Sequence, residues 1–323
     1  MPDTLPLIAP GEPHPARLTH PLWRYFLATR PAFLSVTLVG CLVGLATAHH
    51  GGVAIDLATA IVTVLFALVA QAGVNVLNDY YDAESGADER NEERIFPFTG
   101  GSRFITNGVH TARQTRIFGF ALLGAVIPAG LWLAWQAGPG LIAIGMAGLF
   151  VGWAYSAPPL ALVSRGLGEV AITLCWLLVV IGADYVQRGG FSLLPALAGL
   201  SYALLVANVL YINQFPDRAG DAAAGKRTLV VRLGADAAKW GYLLIAIVAY
   251  AWLVAMVAGE HLPRYAAAAG LTLVVSFSAA RQLIADAARP AELAPALKLT
   301  ILAANLHGLV LAAALAFVAP VGG

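Results

Sequence analysis

Nine apolar runs divide this sequence, near 32–48, 53–77, 114–135, 139–155, 167–186, 192–213, 240–258, 265–284 and 298–319. Runs of about twenty such residues match the hydrocarbon core of a bilayer, where each backbone N–H and C=O must find its partner within the protein. Runs of this length satisfy that demand as helices. The sequence therefore predicts an all-α integral membrane protein with nine transmembrane helices, the run at 139–155 being short. Composition agrees, since 11% of residues are charged against about a quarter in soluble domains.

The placement of the cations supports the count. Cytoplasmic loops carry the excess of Lys and Arg, and with nine crossings all 19 such residues except Arg188 and Arg264 fall on the side of the N-terminus. One crossing more or fewer would reverse every later loop and destroy that asymmetry. The N-terminus is expected in the cytoplasm and the C-terminus outside. The first twenty residues hold five prolines, two histidines and one arginine, and they lack the apolar stretch of a signal peptide. They read as a disordered cytoplasmic tail, residues 1–20, ahead of a single membrane-embedded domain, 21–323. A net charge of +1 gives no electrostatic case for nucleic acid, so the partners are expected among membrane lipids and molecules dissolved in them. Cys41 and Cys175 sit inside apolar runs without metal-ligand spacing and read as small buried hydrophobes.

Two polar breaks interrupt this pattern. The first follows span two as Asn78-Asp79-Tyr80-Tyr81-Asp82, continuing to Asp88; Asn78 and Asp82 lie at i and i+4 and share a helix face. The second follows span six, where Asn213, Asp217 and Asp221 form one stripe at i, i+4 and i+8, with Pro216 expected to kink the helix or free a carbonyl. An even number of crossings separates the breaks, so both open on the cytoplasmic face. Two carboxylate clusters facing one another repel unless cations lie between them. Oxygen ligands of this kind suit magnesium, which is held by one or two carboxylates together with substrate phosphates. With Arg90, Arg94, Arg103, Arg218, Lys226 and Arg227 nearby in sequence, the pattern fits a diphosphate gripped through Mg²⁺ and by direct cations. An apolar bundle interior suits an isoprenoid tail and shields a carbocation from water. Solvated acidic loops at helix ends, or the intramembrane acids of an ion-coupled transporter, are the alternatives that residue types alone leave open.

Other polar residues read more plainly. Asp56 and Asp184 are expected as solvated helix-end residues. Glu169 either pairs with Arg165 at i, i+4 or lines the cavity. The tryptophans read as interface or packing aromatics, and Tyr155 either packs or turns its ring toward a cation.

The two breaks together resemble the UbiA superfamily of intramembrane prenyltransferases, whose motifs are similar to Asn78-Asp79-x-x-Asp82 and Asn213-x-x-x-Asp217-x-x-x-Asp221. Similarity extends to Thr29-Arg30-Pro31, Pro97-Phe98-Thr99-Gly100-Gly101-Ser102-Arg103, Tyr155-Ser156-Ala157-Pro158-Pro159-Leu160, Arg165-Gly166-Leu167-Gly168-Glu169 and Gly225-Lys226-Arg227-Thr228-Leu229. The resemblance implies a helical bundle around a central cavity, Mg²⁺ as cofactor, a polyprenyl diphosphate donor and an aromatic acceptor. It assigns Asn78, Asp82, Asp88, Asn213, Asp217 and Asp221 to metal and diphosphate, with Asp82, Asp217, Asp221 and Lys226 as the catalytic set. Substrate contacts are expected from Asn78, Arg103, Tyr155, Arg165, Asn213 and Arg227, with Arg103, Lys226 and Arg227 assisting the leaving group and Asp79 secondary. Gly86 stands where the commonest pattern has a third acid. That departure, with the Pro-Phe-Thr-Gly-Gly-Ser-Arg stretch, resembles the branch acting on 1,4-dihydroxy-2-naphthoate for menaquinone rather than on 4-hydroxybenzoate. Asp88 is ten residues beyond Asn78 and rotated about 80° off its stripe, so a loop turning at Gly86 must carry it back.

Overall fold

A computed structural model of the chain describes residues 11–317, and every regular element among them is helical. In chain order they are α1 (Pro21–Ala28), α2 (Leu34–His50), α3 (Leu57–Ser85), α4 (Ala112–Ala137), α5 (Gly140–Ser156), α6 (Gly168–Arg188), α7 (Leu194–Ala223), α8 (Leu229–Leu233), α9 (Ala235–Ala258), α10 (Leu273–Asp286) and α11 (Ala294–Phe317). Short 3₁₀ segments lead into α2, α6, α10 and α11. Among the described residues, eight helical stretches are long and apolar enough to cross a membrane. The run expected at 139–155 folds as α5, which is apolar but only 17 residues long. It is bounded by Pro139 and by the Ala157-Pro158-Pro159 turn that cannot continue a helix.

Helices α3 and α4 pack as a pair, as do α6 and α7, and α7 also touches α2, α9 and α11. Helix α7 is therefore the enclosed axis of the fold, buried along most of its length. Lipid tails are as apolar as leucine, so helices in a bilayer are held by close packing and by hydrogen bonds between them. The enclosed side chains follow that rule. The Tyr211 hydroxyl donates to the Ala238 carbonyl at 2.9 Å, Asn208 Nδ2 to the Tyr242 carbonyl at 3.1 Å, and the Tyr242 and Thr300 hydroxyls meet at 2.8 Å. Fully buried His307 of α11 touches Ser201 of α7 at 3.0 Å and Thr272 at 3.3 Å.

Three sequence expectations are settled by this packing. Asp56 is exposed and caps α3, accepting from the Thr59 backbone at 2.8 Å. Asp184, expected in solvent, is instead buried: Arg188 donates to both its oxygens at 2.8 Å and Thr47 of α2 donates at 2.9 Å, so a helix-end acid finds a cation four residues on. The stretch expected as a disordered tail also differs where it is described. Glu12 is buried and accepts from Arg94 Nε at 2.6 Å and Asn107 Nδ2 at 3.1 Å. Burial pushes its carboxyl up, but the bonds from Arg94 and Asn107 and the charges of Arg94 and Arg103 outweigh that and hold it below the ordinary glutamate range. Residues 1–10 lie outside the described residues.

Candidate active site

The C-terminal ends of α3 and α7 carry the two polar motifs and meet at one end of the bundle. Helix α3 stops at Gly86, whose φ of +73° is the left-handed conformation that glycine adopts without a Cβ penalty. The chain then folds back, with the Ala87 N–H donating to the Asp82 carbonyl at 2.9 Å. Residues 87–91 lie directly on α7 because Gly220 leaves room: a Cβ there would sit 2.9 Å from Asn91 Cα and 3.1 Å from the Ala87 carbonyl. The turn at Gly86 thus returns Asp88 to the motif face, as the rotation argument requires. Pro216 lies within α7 and lacks an N–H, which leaves the Ile212 carbonyl without its helical donor.

Asn78, Asp82, Asp88, Asn213, Asp217 and Asp221 line one small cavity of about 80 Å³. Lys226 joins the two motifs inside it. Its Nζ lies 2.9 and 3.1 Å from the oxygens of Asp82 and 3.5 Å from Asp221 Oδ1, and its backbone N–H donates to the Asp221 carbonyl at 2.8 Å. Asn78 Nδ2 donates to Asp82 at 3.1 Å and to the Ser156 hydroxyl at 2.9 Å, tying α3 to the end of α5. The Oδ1 atoms of Asn213 and Asn91 are buried with no hydrogen-bond partner.

Electrostatics follow from this crowding. Burial raises the Asp88 carboxyl well above the ordinary range, and Asp82 and Asp79 raise it further against the opposing pull of Lys226 and Arg103. Burial acts to lower Lys226, yet Asp82 and Asp221 outweigh it and hold the ammonium well above the ordinary lysine range. The ammonium therefore stays charged, and with Arg30 it sets two cations against the four carboxyl side chains that line the cavity. Among the described residues no three His, Cys, Asp or Glu side chains close on a single point as a ready metal site, and Lys226 stands between Asp82 and Asp221. The donor set nevertheless fits a hard divalent cation. All the donors are oxygens, two buried amide oxygens have no partner, and the negative charge is in excess.

A second, far larger cavity of about 590 Å³ is walled by apolar side chains, including Phe66, Val74, Leu149, Trp176 and Val179. Arg30, Asn78, Tyr155, Leu210 and Asn213 line both cavities, so the polar one adjoins the apolar one at these residues.

A family model described as the UbiA prenyltransferase family matches residues 37–306. The chain belongs to the UbiA prenyltransferase family. It is 32% identical to the 1,4-dihydroxy-2-naphthoate octaprenyltransferase of Mycobacterium tuberculosis, over 80% of this chain and 85% of that one. It is 29% identical to the 2-carboxy-1,4-naphthoquinone phytyltransferase of Synechocystis sp., over 70% of each. Its fold is similar to that of a UbiA homolog from Archaeoglobus fulgidus bound to DMAPP and Mg²⁺, with a TM-score of 0.59 at 14% identity over 89% of this chain and 99% of that one.

In this UbiA family member three of the expected substrate contacts sit elsewhere. Arg103 is buried outside the polar cavity and donates to the Asp88 carbonyl, so it shapes the loop. Arg165 is exposed and donates to the Pro159 carbonyl at 2.8 Å, and exposed Arg227 is tied through its backbone to Ser164 and Arg232. Nearness to a motif in sequence placed these cations close to the cavity but not in its wall. Asp79, the secondary candidate, accepts from the Ser102 backbone at 3.1 Å and holds the same loop. Glu169 bonds Gln214 of α7 rather than Arg165.

Two further polar residues of the cavity, Asn91 and Arg30, were not among the expected site residues. Asn91 donates to Asp217 Oδ1 at 2.5 Å, and nothing in the charged run around it distinguishes it. Arg30 takes a left-handed φ of +57°, donates to the Phe98 carbonyl at 3.3 Å and keeps a buried Nε without a partner. Its place just before Pro31, ahead of the first span, was the available signal. Gly86→Val is expected to lower kcat by about tenfold, as much as Asp88→Ala does. It forces a β-branched residue into a left-handed turn, which costs on the order of 1–2 kcal/mol. Steady-state kinetics beside a helical circular-dichroism spectrum would check this, full activity at normal helicity being the contrary result.

Proposed function

We propose that this UbiA prenyltransferase moves a polyprenyl group from an allylic polyprenyl diphosphate to 1,4-dihydroxy-2-naphthoate, in menaquinone biosynthesis, with Mg²⁺ as cofactor. The observation that carries the reading is the adjacency of an oxygen-lined polar cavity to a large apolar one across Arg30, Asn78, Tyr155 and Asn213. Such a pair of cavities matches a molecule with a dianionic head and a long hydrocarbon tail. Asn78, Asp82, Asp88, Asn213, Asp217 and Asp221 would hold the metal, which when bound neutralises the diphosphate as it departs. Lys226 places a fixed positive charge in the same cavity, and Arg30 offers a guanidinium at the boundary. The donor's C–O bond breaks with its electron pair leaving on the diphosphate. The Tyr155 ring stands at the junction where the allylic cation forms, and the apolar walls keep water from it. A π pair of the acceptor ring then forms the new C–C bond, and the ring regains aromaticity as the proton on the attacked carbon is lost to a base.

The acceptor assignment draws on relatives named for 1,4-dihydroxy-2-naphthoate and on the Gly86-to-Asp88 loop at the polar cavity. Incubation with a labelled polyprenyl diphosphate and either acid is expected to label 1,4-dihydroxy-2-naphthoate and leave 4-hydroxybenzoate untouched. Equal turnover of both would overturn the acceptor while leaving prenyl transfer in place.

In the cytoplasmic membrane, the same reading counts α5 as a ninth crossing of a bundle around a central cavity and sets the N-terminus and the active-site loops on the cytoplasmic side. A reporter fused at the C-terminus should then read as external. A cytoplasmic signal would remove the ninth crossing.

A further inference from the structure

Glu12 lies outside both motifs and outside the spans, and nothing in the transfer described above uses it. Its side chain is fully enclosed. One oxygen accepts from Arg94 Nε at 2.6 Å, the other from Asn107 Nδ2 at 3.1 Å, and the neighbouring Pro13 carbonyl accepts from the same amide at 3.1 Å. Arg94 and Asn107 lie on opposite limbs within the loop that joins α3 to α4, so one carboxylate draws those limbs together. From Arg94 the contacts continue to the cavity. Arg94 Nη1 donates to the Asn91 carbonyl at 2.9 Å, and the Asn91 side chain donates to Asp217 Oδ1 at 2.5 Å. Arg103, on the other limb, donates to the Asp88 carbonyl.

We propose that Glu12 is a positioning residue for the active site: by clamping Arg94 and Asn107 it fixes Asn91 against Asp217 and sets Asp88 in the polar cavity. The proposal rests on that cavity being the site of transfer. A buried charge-assisted pair has a defined geometry, and displacement of a catalytic group by a fraction of an ångström to one ångström costs one to two orders of magnitude in rate.

The test uses the full-length protein. Glu12→Gln is expected to lower kcat about tenfold with the KM for the diphosphate donor within about twofold, because the group displaced acts in the transition state. Deuterium exchange over residues 88–107 should rise while α9 and α11 stay as in the wild type. Asn107→Ala, which removes one arm only, should show a smaller change in the same direction, and it serves in place of Glu12→Gln should that variant not fold. The double variant Glu12→Gln with Asn91→Ala should be slower than Asn91→Ala by less than the factor that Glu12→Gln costs on its own, since the two losses share the Asn91–Asp217 contact. Unchanged kcat, unchanged exchange over the loop, or losses that multiply in the double variant would each overturn the proposal. If the wild-type protein prenylates neither acid, the proposed function fails and the exchange comparison alone decides the clamp.

Discussion

Lys226→Met is expected to lower kcat by about two to three orders of magnitude, in the range seen when one electrostatic donor is lost from a preorganised site, and to lower the melting temperature as well. The Lys226 ammonium touches Asp82 from the first motif and Asp221 from the second, and all three side chains are largely enclosed. Methionine fills similar volume without the charge, so the two carboxylates are left facing one another. Breaking one partner out of a buried ionic group costs about 3–5 kcal/mol because the remaining charge is stranded. A divalent cation added to the variant should restore part of the melting temperature, since it answers the same excess of negative charge, while kcat stays low. Thermal melts with and without Mg²⁺, set beside initial rates, separate the two effects. A variant as stable and as fast as the wild type would show that Lys226 is a bystander.

Asp217→Asn should also lower kcat by about two to three orders of magnitude, but without the loss of stability. Asparagine keeps an oxygen that accepts from Asn91, the partner at 2.5 Å in the native protein, so the loop stays seated on α7. What disappears is one negative charge in the oxygen-lined cavity. If that charge acts chiefly in the transition state, kcat and kcat/KM fall together. The contrast between the two variants is informative in itself: one removes a structural cation and a catalytic one at the same position, the other removes catalytic charge alone. Unaltered turnover in Asp217→Asn with an intact spectrum would remove Asp217 from the site.

Most of the architecture was readable because a bilayer permits few solutions. Apolar runs give helices directly, and a stripe such as Asn213, Asp217 and Asp221 keeps its meaning once the run around it is helical. The turn at Gly86 was readable for the same local reason, since the rotation of Asp88 away from Asn78 follows from helical geometry. Long-range contacts were not. For Asp184 the local partner Arg188 is legible at i, i+4, but Thr47, which completes its enclosure, lies on another helix, and the partners of Glu12, Arg94 and Asn107, are far away in sequence. Arg103, Arg165 and Arg227 stand beside the motifs in sequence but are not among the residues lining the polar cavity, and the first two donate to backbone carbonyls. Asn91 reaches Asp217 only because Gly220 lets a loop lie on α7, a fact that no local pattern encodes.

In the proposed function, the cavity joining the two motifs ionises an allylic diphosphate with the help of a divalent cation. Purified protein in detergent, with no gradient present, should release diphosphate from a labelled polyprenyl diphosphate when 1,4-dihydroxy-2-naphthoate and Mg²⁺ are supplied. Mass analysis should find the prenyl group on the naphthoate ring. Chelation should stop the release, and fresh Mg²⁺ should restore it. Release that persists under chelation, or ion flux across sealed vesicles with no prenylated product, would contradict the account.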